Sequence, residues 1–112
     1  MAALGTISTI SEVGVQASAS PTPGATVNID ASTANIFTWT AGENETVNVT
    51  AGQQAGRVIT FMITNDAVIR TITLGTGVVS LGTIVGTALK TAVVVLQSNG
   101  TSFYELSRTL GL

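Results

Sequence analysis

The feature that most constrains this chain is its punctuation. From Ala25 onward, short runs rich in Val, Ile and Thr are broken by Gly, Asn or Asp about every ten residues. TVNID (26–30), NIFTWT (35–40) and TVNVT (46–50) alternate apolar with polar positions, the period of a half-buried strand. The alternation sets Val27 with Ile29 on one face, Phe37 with Trp39 on one face, and Val47 with Val49 inward. Ile36, Thr38 and Thr40 fall on the other side from Phe37 and Trp39. RVITFMIT (57–64) and TAVVVLQS (91–98) carry apolar residues on both faces, as strands covered on each side do. The abundance of β-branched residues and the lack of a sustained 3.6-residue stripe disfavour helices. Gly75, Gly77, Gly82 and Gly86 cut 75–89 into short strands and bends. No repeat of fixed period is evident.

These signals predict an all-β fold: a single compact β-sandwich or jelly-roll-like domain of about eight short antiparallel strands. IRTITL (69–74) is expected to return antiparallel to 57–64. The segment KTAVVVLQSNGTSFYELSR (90–108) reads as a closing hairpin, with Asn99-Gly100 as a two-residue type I′ turn. Residues 1–24 differ in character, and QASASPTPG (16–24) is small, polar and proline-bearing. The expected organisation is an extended N-terminal arm, 1–24, and a β-domain, 25–112.

Composition narrows the function. Charged residues make up only 9% of the 112, against a usual value near 25%. Nineteen threonines soften the exterior, but the remaining apolar surface points to cover by other chains. Four scattered basic residues, Arg57, Arg70, Lys90 and Arg108, with a net charge of −2, argue against nucleic acid. No apolar run is long enough to span a membrane, and the N-terminus lacks the basic start of a secretion signal. Synthesis in a cytoplasm follows as the expectation, and the initial Met suggests a complete product.

Chemistry is sparse. Without His or Cys there is no usual neutral-pH base, no thiol nucleophile and no common transition-metal ligand. Asp30, Glu43, Glu45, Asp66 and Glu105 could form an acid–base pair or a calcium site, but no spacing resembles a calcium loop, and several sit at turns where Asp and Glu serve local hydrogen bonding. LGTG (74–77) lacks the Lys-Ser/Thr of a phosphate loop. Trp39 and Tyr104 are too few for a stacking platform and read as core or interface packing. The expectation is a protein that is not an enzyme and needs no cofactor and no metal.

Three stretches together resemble a family: ATVNIDASTANIFTWTAGENETVNV (25–49), a strand near 57–64 followed by RTITLG (70–75), and KTAVVVLQSNGTSFYELSR (90–108). They are similar to the small β-rich decoration, or cement, proteins of tailed-bacteriophage heads and to related domains of head and tail fibres. The resemblance implies a homotrimer on the outer capsid surface that bridges neighbouring major capsid subunits, in a virion assembled in the host cytoplasm. The apolar residues on both faces of the later strands then offer an oligomer interface at Val93, Val95, Leu96, Met62 and Phe103. The arm's Leu4, Ile7, Ile10, Val13 and Val15 are then the capsid contact, adding a strand to a capsid sheet edge. The alternatives are a receptor- or glycan-binding module of a phage fibre, a carbohydrate-active enzyme with a convergent carboxylate pair, and an isolated monomeric β-domain.

Overall fold

A computed structural model of the protein describes residues 17–112 and contains ten strands and no helix among them. They are β1 (Ser18–Ala19), β2 (Thr26–Asp30), β3 (Ile36–Ala41), β4 (Glu45–Ala51), β5 (Val58–Asn65), β6 (Thr71–Leu74), β7 (Val78–Val79), β8 (Ile84–Val85), β9 (Thr91–Ser98) and β10 (Phe103–Thr109). Successive strands alternate between two sheets until the final pair. One sheet has the order β1-β3-β5-β9-β10-β7, the other β2-β4-β6-β8.

The pairing departs from the antiparallel expectation. β1, β3 and β5 run parallel, as do β2, β4 and β6, and β10 runs parallel to β7. Only β5–β9, β9–β10 and β6–β8 are antiparallel. IRTITL does not return along β5: its strand β6 crosses to the other sheet and lies parallel to β4. The chain thus winds in rungs, each giving one strand to each sheet, in a solenoid-like arrangement. The physical reason is that a turn between sheets, rather than within one, brings the next strand back in the same direction one rung later.

The rungs stack in register. Inside, Val27 lies beside Val47 and Val47 beside Leu74, Ile29 beside Val49, Phe37 beside Phe61, and Trp39 beside Ile63. All of these are buried. Phe61 anchors the centre, edge-to-face with Phe37 at 6.1 Å and with Trp39 at 5.5 Å. Aromatic pairs of that geometry add about 0.5–1.5 kcal/mol beyond area burial. Outside, Thr26, Thr46 and Thr73 stack on the smaller sheet. Asn is unusual in strands, but here Asn48 Nδ2 donates to Asn28 Oδ1 at 3.4 Å on the rung before it. The Asn48 Oδ1 accepts from the Thr76 amide at 2.8 Å on the rung after it.

Part of the stretch read as an arm belongs to this frame. β1 pairs with β3, the Ala17 amide donates to Asn35 Oδ1, and Ala19 packs against the core. At the other end the stack is closed. Arg108 binds Glu105 through two nitrogens and donates to the carbonyls of Gly82 and Thr83, tying the β7–β8 loop to β10.

The closing hairpin forms, but not with a type I′ turn. Ser98 pairs with Phe103 across a four-residue loop. Asn99 Oδ1 accepts the Thr101 and Ser102 amides, and only Gly100 takes a positive φ, at 99°. The Asn side chain does the work of a turn carbonyl, so Asn99 itself need not enter the left-handed region.

Candidate functional site: an uncharged sheet face

Strand alternation decides what each sheet shows to solvent. On the six-stranded sheet, Phe37, Phe61, Val94 and Phe103 point into the core. The intervening positions point out: Ile36, Thr38 and Thr40 on β3, Val58, Thr60, Met62 and Thr64 on β5, Thr91, Val93, Val95 and Gln97 on β9. β10 adds Tyr104, Ser107 and Thr109, and β7 adds Val79. Register places Met62 beside Thr38 and Val93, Val95 beside Thr60 and Ser107, and Tyr104 beside Gln97 and Val79. None of these outward positions carries a charge. Val58, Met62, Val79 and Tyr104 are 37–46% exposed, while Ile36, Val93 and Val95 are half-buried by their neighbours.

The smaller sheet differs. Its outward positions include Thr26, Asn28, Thr46, Asn48, Thr71 and Thr73, a polar surface apart from Val85 on β8. The two-sided apolar pattern of β5 and β9 therefore has two separate causes. One face of each strand fills the core, and the other contributes to an exposed apolar surface.

Three of the five expected interface residues, Met62, Val93 and Val95, lie together on this face. The other two do not. Leu96 and Phe103 are fully buried within the chain's own core and cannot meet a neighbour. Ile36, Val58, Val79 and Tyr104 complete the face. Alternation in NIFTWT and RVITFMIT sets Ile36 opposite Phe37 and Val58 opposite Ile59, but nothing local shows which side is outward or that the two strands share one sheet. Leu4, Ile7, Ile10, Val13 and Val15 lie outside the described residues.

The carboxylates do not converge, and no group of three or more His, Cys, Asp or Glu side chains stands ready for a metal among the described residues. Asp30 accepts from the Ser32 hydroxyl and amide within its own turn, interactions that lower its pKa. Asp66 holds Arg70 at 2.7 Å and accepts the Val68 amide, which likewise lowers its pKa. Glu45 is buried and accepts from Trp39 Nε1 at 2.8 Å. Burial pushes its pKa up, and the Trp39 and Gly24 hydrogen bonds only partly offset this. Burial also acts to raise Glu105, but the Arg108 hydrogen bonds, the Leu81 amide, the Arg108 charge and the Ser80 hydroxyl outweigh it and leave the pKa lowered.

A concavity of about 200 Å³ opens where β1 and β2 end the stack, between Ala19, Pro21, Ile29 and Phe37. It is smaller than the roughly 300–1,000 Å³ typical of small-molecule sites. Among the described residues no helix is long and apolar enough to cross a membrane. No protein-family model, curated protein or solved structure matches the chain.

Proposed function

We propose that the protein is a virion structural protein that coats the outside of a tailed-phage head as a homo-oligomer and cements neighbouring major capsid subunits. The observation that carries this reading is the uncharged outer face of the six-stranded sheet. A chain with 9% charged residues leaves an apolar surface that water solvates poorly and that protein partners would cover. A protein that binds only the assembled shell stabilises it by mass action, and many identical contacts act together. The resemblance of 25–49, 57–75 and 90–108 to head decoration proteins supplies the location. The short solenoid-like frame takes the place of the sandwich or jelly roll that the resemblance implies.

The test is occupancy. Purified protein is mixed with expanded, undecorated shells of the major capsid protein encoded in the same genome and then sedimented. Saturable co-sedimentation is expected, and a variant lacking residues 2–16, which keeps β1, should bind less. Absence of the intact protein from the pelleted shells would rule the reading out.

A second reading, a receptor- or glycan-binding module of a phage fibre, draws on one observation. Among the described residues β2 pairs with β4 alone, so a further rung from a neighbouring segment could stack on its other edge. Attachment to whole virions at a tail, with bare shells left unbound, would favour it.

A further inference from the structure

We infer that the outer face of the six-stranded sheet is the surface through which copies of this chain associate, with a second copy of the same face as its occupant. The inference rests on the assembly reading above and names the surface for it. Two observations select the occupant.

The first is charge. A face that meets its own copy brings each of its charges close to an identical one, and like charges opposed across an interface are costly. The outward positions of six strands, from Ser18 on β1 to Val79 on β7, carry no charge at all. Two of the cations near this sheet are directed elsewhere: Arg57 donates to the Gly52 carbonyl and to Gln54, and Arg108 turns to Glu105, Gly82 and Thr83. The third, Lys90, is exposed just before β9, at the end of the sheet rather than within its strands. A partner recognised by charge would find nothing to read here, whereas an identical uncharged face meets no repulsion.

The second is area. The six strands hold 33 residues, each covering about 3.4 Å of rise by about 4.8 Å of spacing. The face therefore offers about 540 Å² per copy, or about 1,100 Å² across a pair, just above the roughly 1,000 Å² that a specific interface should clear. Its most apolar part, Met62, Val93 and Val95 on the paired strands β5 and β9, lies at the centre, where interface cores sit.

The experiment is mass by light scattering on the purified full chain in the absence of shells, up to about 100 µM, a range that populates even a modest interface of this size. The wild type is expected at two chain masses, since a face that meets its own copy closes at two, and a trimer would overturn the face-to-face pairing. The double variant Met62→Lys/Val95→Lys places two charges at the centre without touching the core, and should weaken association by about a hundredfold or more. Thr73→Lys, on the opposite sheet, should leave the mass unchanged. Emission from the buried Trp39 reports that each variant is folded. Should the double variant unfold, Tyr104→Glu at the edge of the same face takes its place. A wild type that stays monomeric overturns the inference, as does equal dissociation by Thr73→Lys. Shell co-sedimentation is a separate readout. Monomers that still bind shells would end this inference and leave the decoration reading standing.

Discussion

Arg108→Met removes one half of an ion pair whose other half cannot reach water. The Glu105 side chain has no exposed surface, and that of Arg108 is 19% exposed. Glu105 takes Arg108 Nε on Oε2 at 2.7 Å and Nη2 on Oε1 at 2.8 Å, with the Leu81 amide at 2.9 Å. Without Arg108 the carboxylate keeps the Leu81 amide and a long contact to Ser80, and the carbonyls of Gly82 and Thr83 lose a donor. Removing one partner of a buried pair costs about 3–5 kcal/mol, a large part of the roughly 5–15 kcal/mol that holds a domain folded. The double variant Glu105→Gln/Arg108→Met buries no charge and should lose only about 1–2 kcal/mol, the scale of one or two ordinary hydrogen bonds.

The pH dependence carries the sharper test. In the wild type the folded pKa of Glu105 is lowered. Its stabilising contribution is therefore present above the unfolded value and lost as pH falls through the folded one. In Arg108→Met burial is opposed by the Leu81 amide and the Ser80 contact without the Arg108 charge, the folded value moves above the unfolded one, and the sign reverses. The variant's deficit should be largest at pH 7 and shrink by about 1 kcal/mol or more by pH 5. Urea unfolding followed by Trp39 fluorescence at both pH values measures it. A deficit that is the same at pH 7 and pH 5, or a double variant as weak as the single, would refute the reasoning.

Two further outcomes test other parts of the frame. The folded pKa of Glu45 is raised, so its contribution is favourable below the unfolded pKa and lost as pH rises through the folded value. Glu45→Gln keeps an acceptor for Trp39, should equal or exceed wild-type stability at pH 7, and should flatten the pH 4–7 trend in urea midpoints. Gly56 and Gly77 both take positive φ, but a side chain at Gly56 meets open space while one at Gly77 runs into the Val49 carbonyl. Gly56→Ala should cost about 1–2 kcal/mol and Gly77→Ala at least about twice that, an order that thermal melts would show.

Alternation made much of this legible. It grouped the residues of β2, β3 and β4 by face correctly, because a period of two fixes the side on which each residue falls. It could not say which strand lies beside which, since parallel stacking and antiparallel return present the same pattern along one strand. Leu96 and Phe103 were placed at an interface for that reason: an apolar residue reads alike whether its neighbour is the chain's own core or another copy. One clue to the rungs was present. Thr-Val-Asn occurs at 26–28 and again at 46–48, and those residues stack in register. The period did not persist because the corners differ in length. Eighteen residues separate the partners Ser18 and Ile36, and twenty-four separate Ile36 and Thr60. Asn99-Gly100 marked the hairpin correctly but not the turn type, which the Asn99 side chain decided.

The two ends of the stack are built differently, and this gives the molecule a mechanical polarity. Among the described residues, β1 at the N-terminal end holds by two paired residues, and β2 has a neighbour on one side only. A pull from that side peels the edge strands, loading a few hydrogen bonds at a time. At the C-terminal end Leu112 exchanges both backbone hydrogen bonds with Thr91, and Thr91 opens β9, which is flanked by β5 and β10. Tension applied there passes into two ladders that must shear together. A tether attached through the N-terminal residues gives way rung by rung, whereas one attached at the C-terminus loads the strongest part of the sheet.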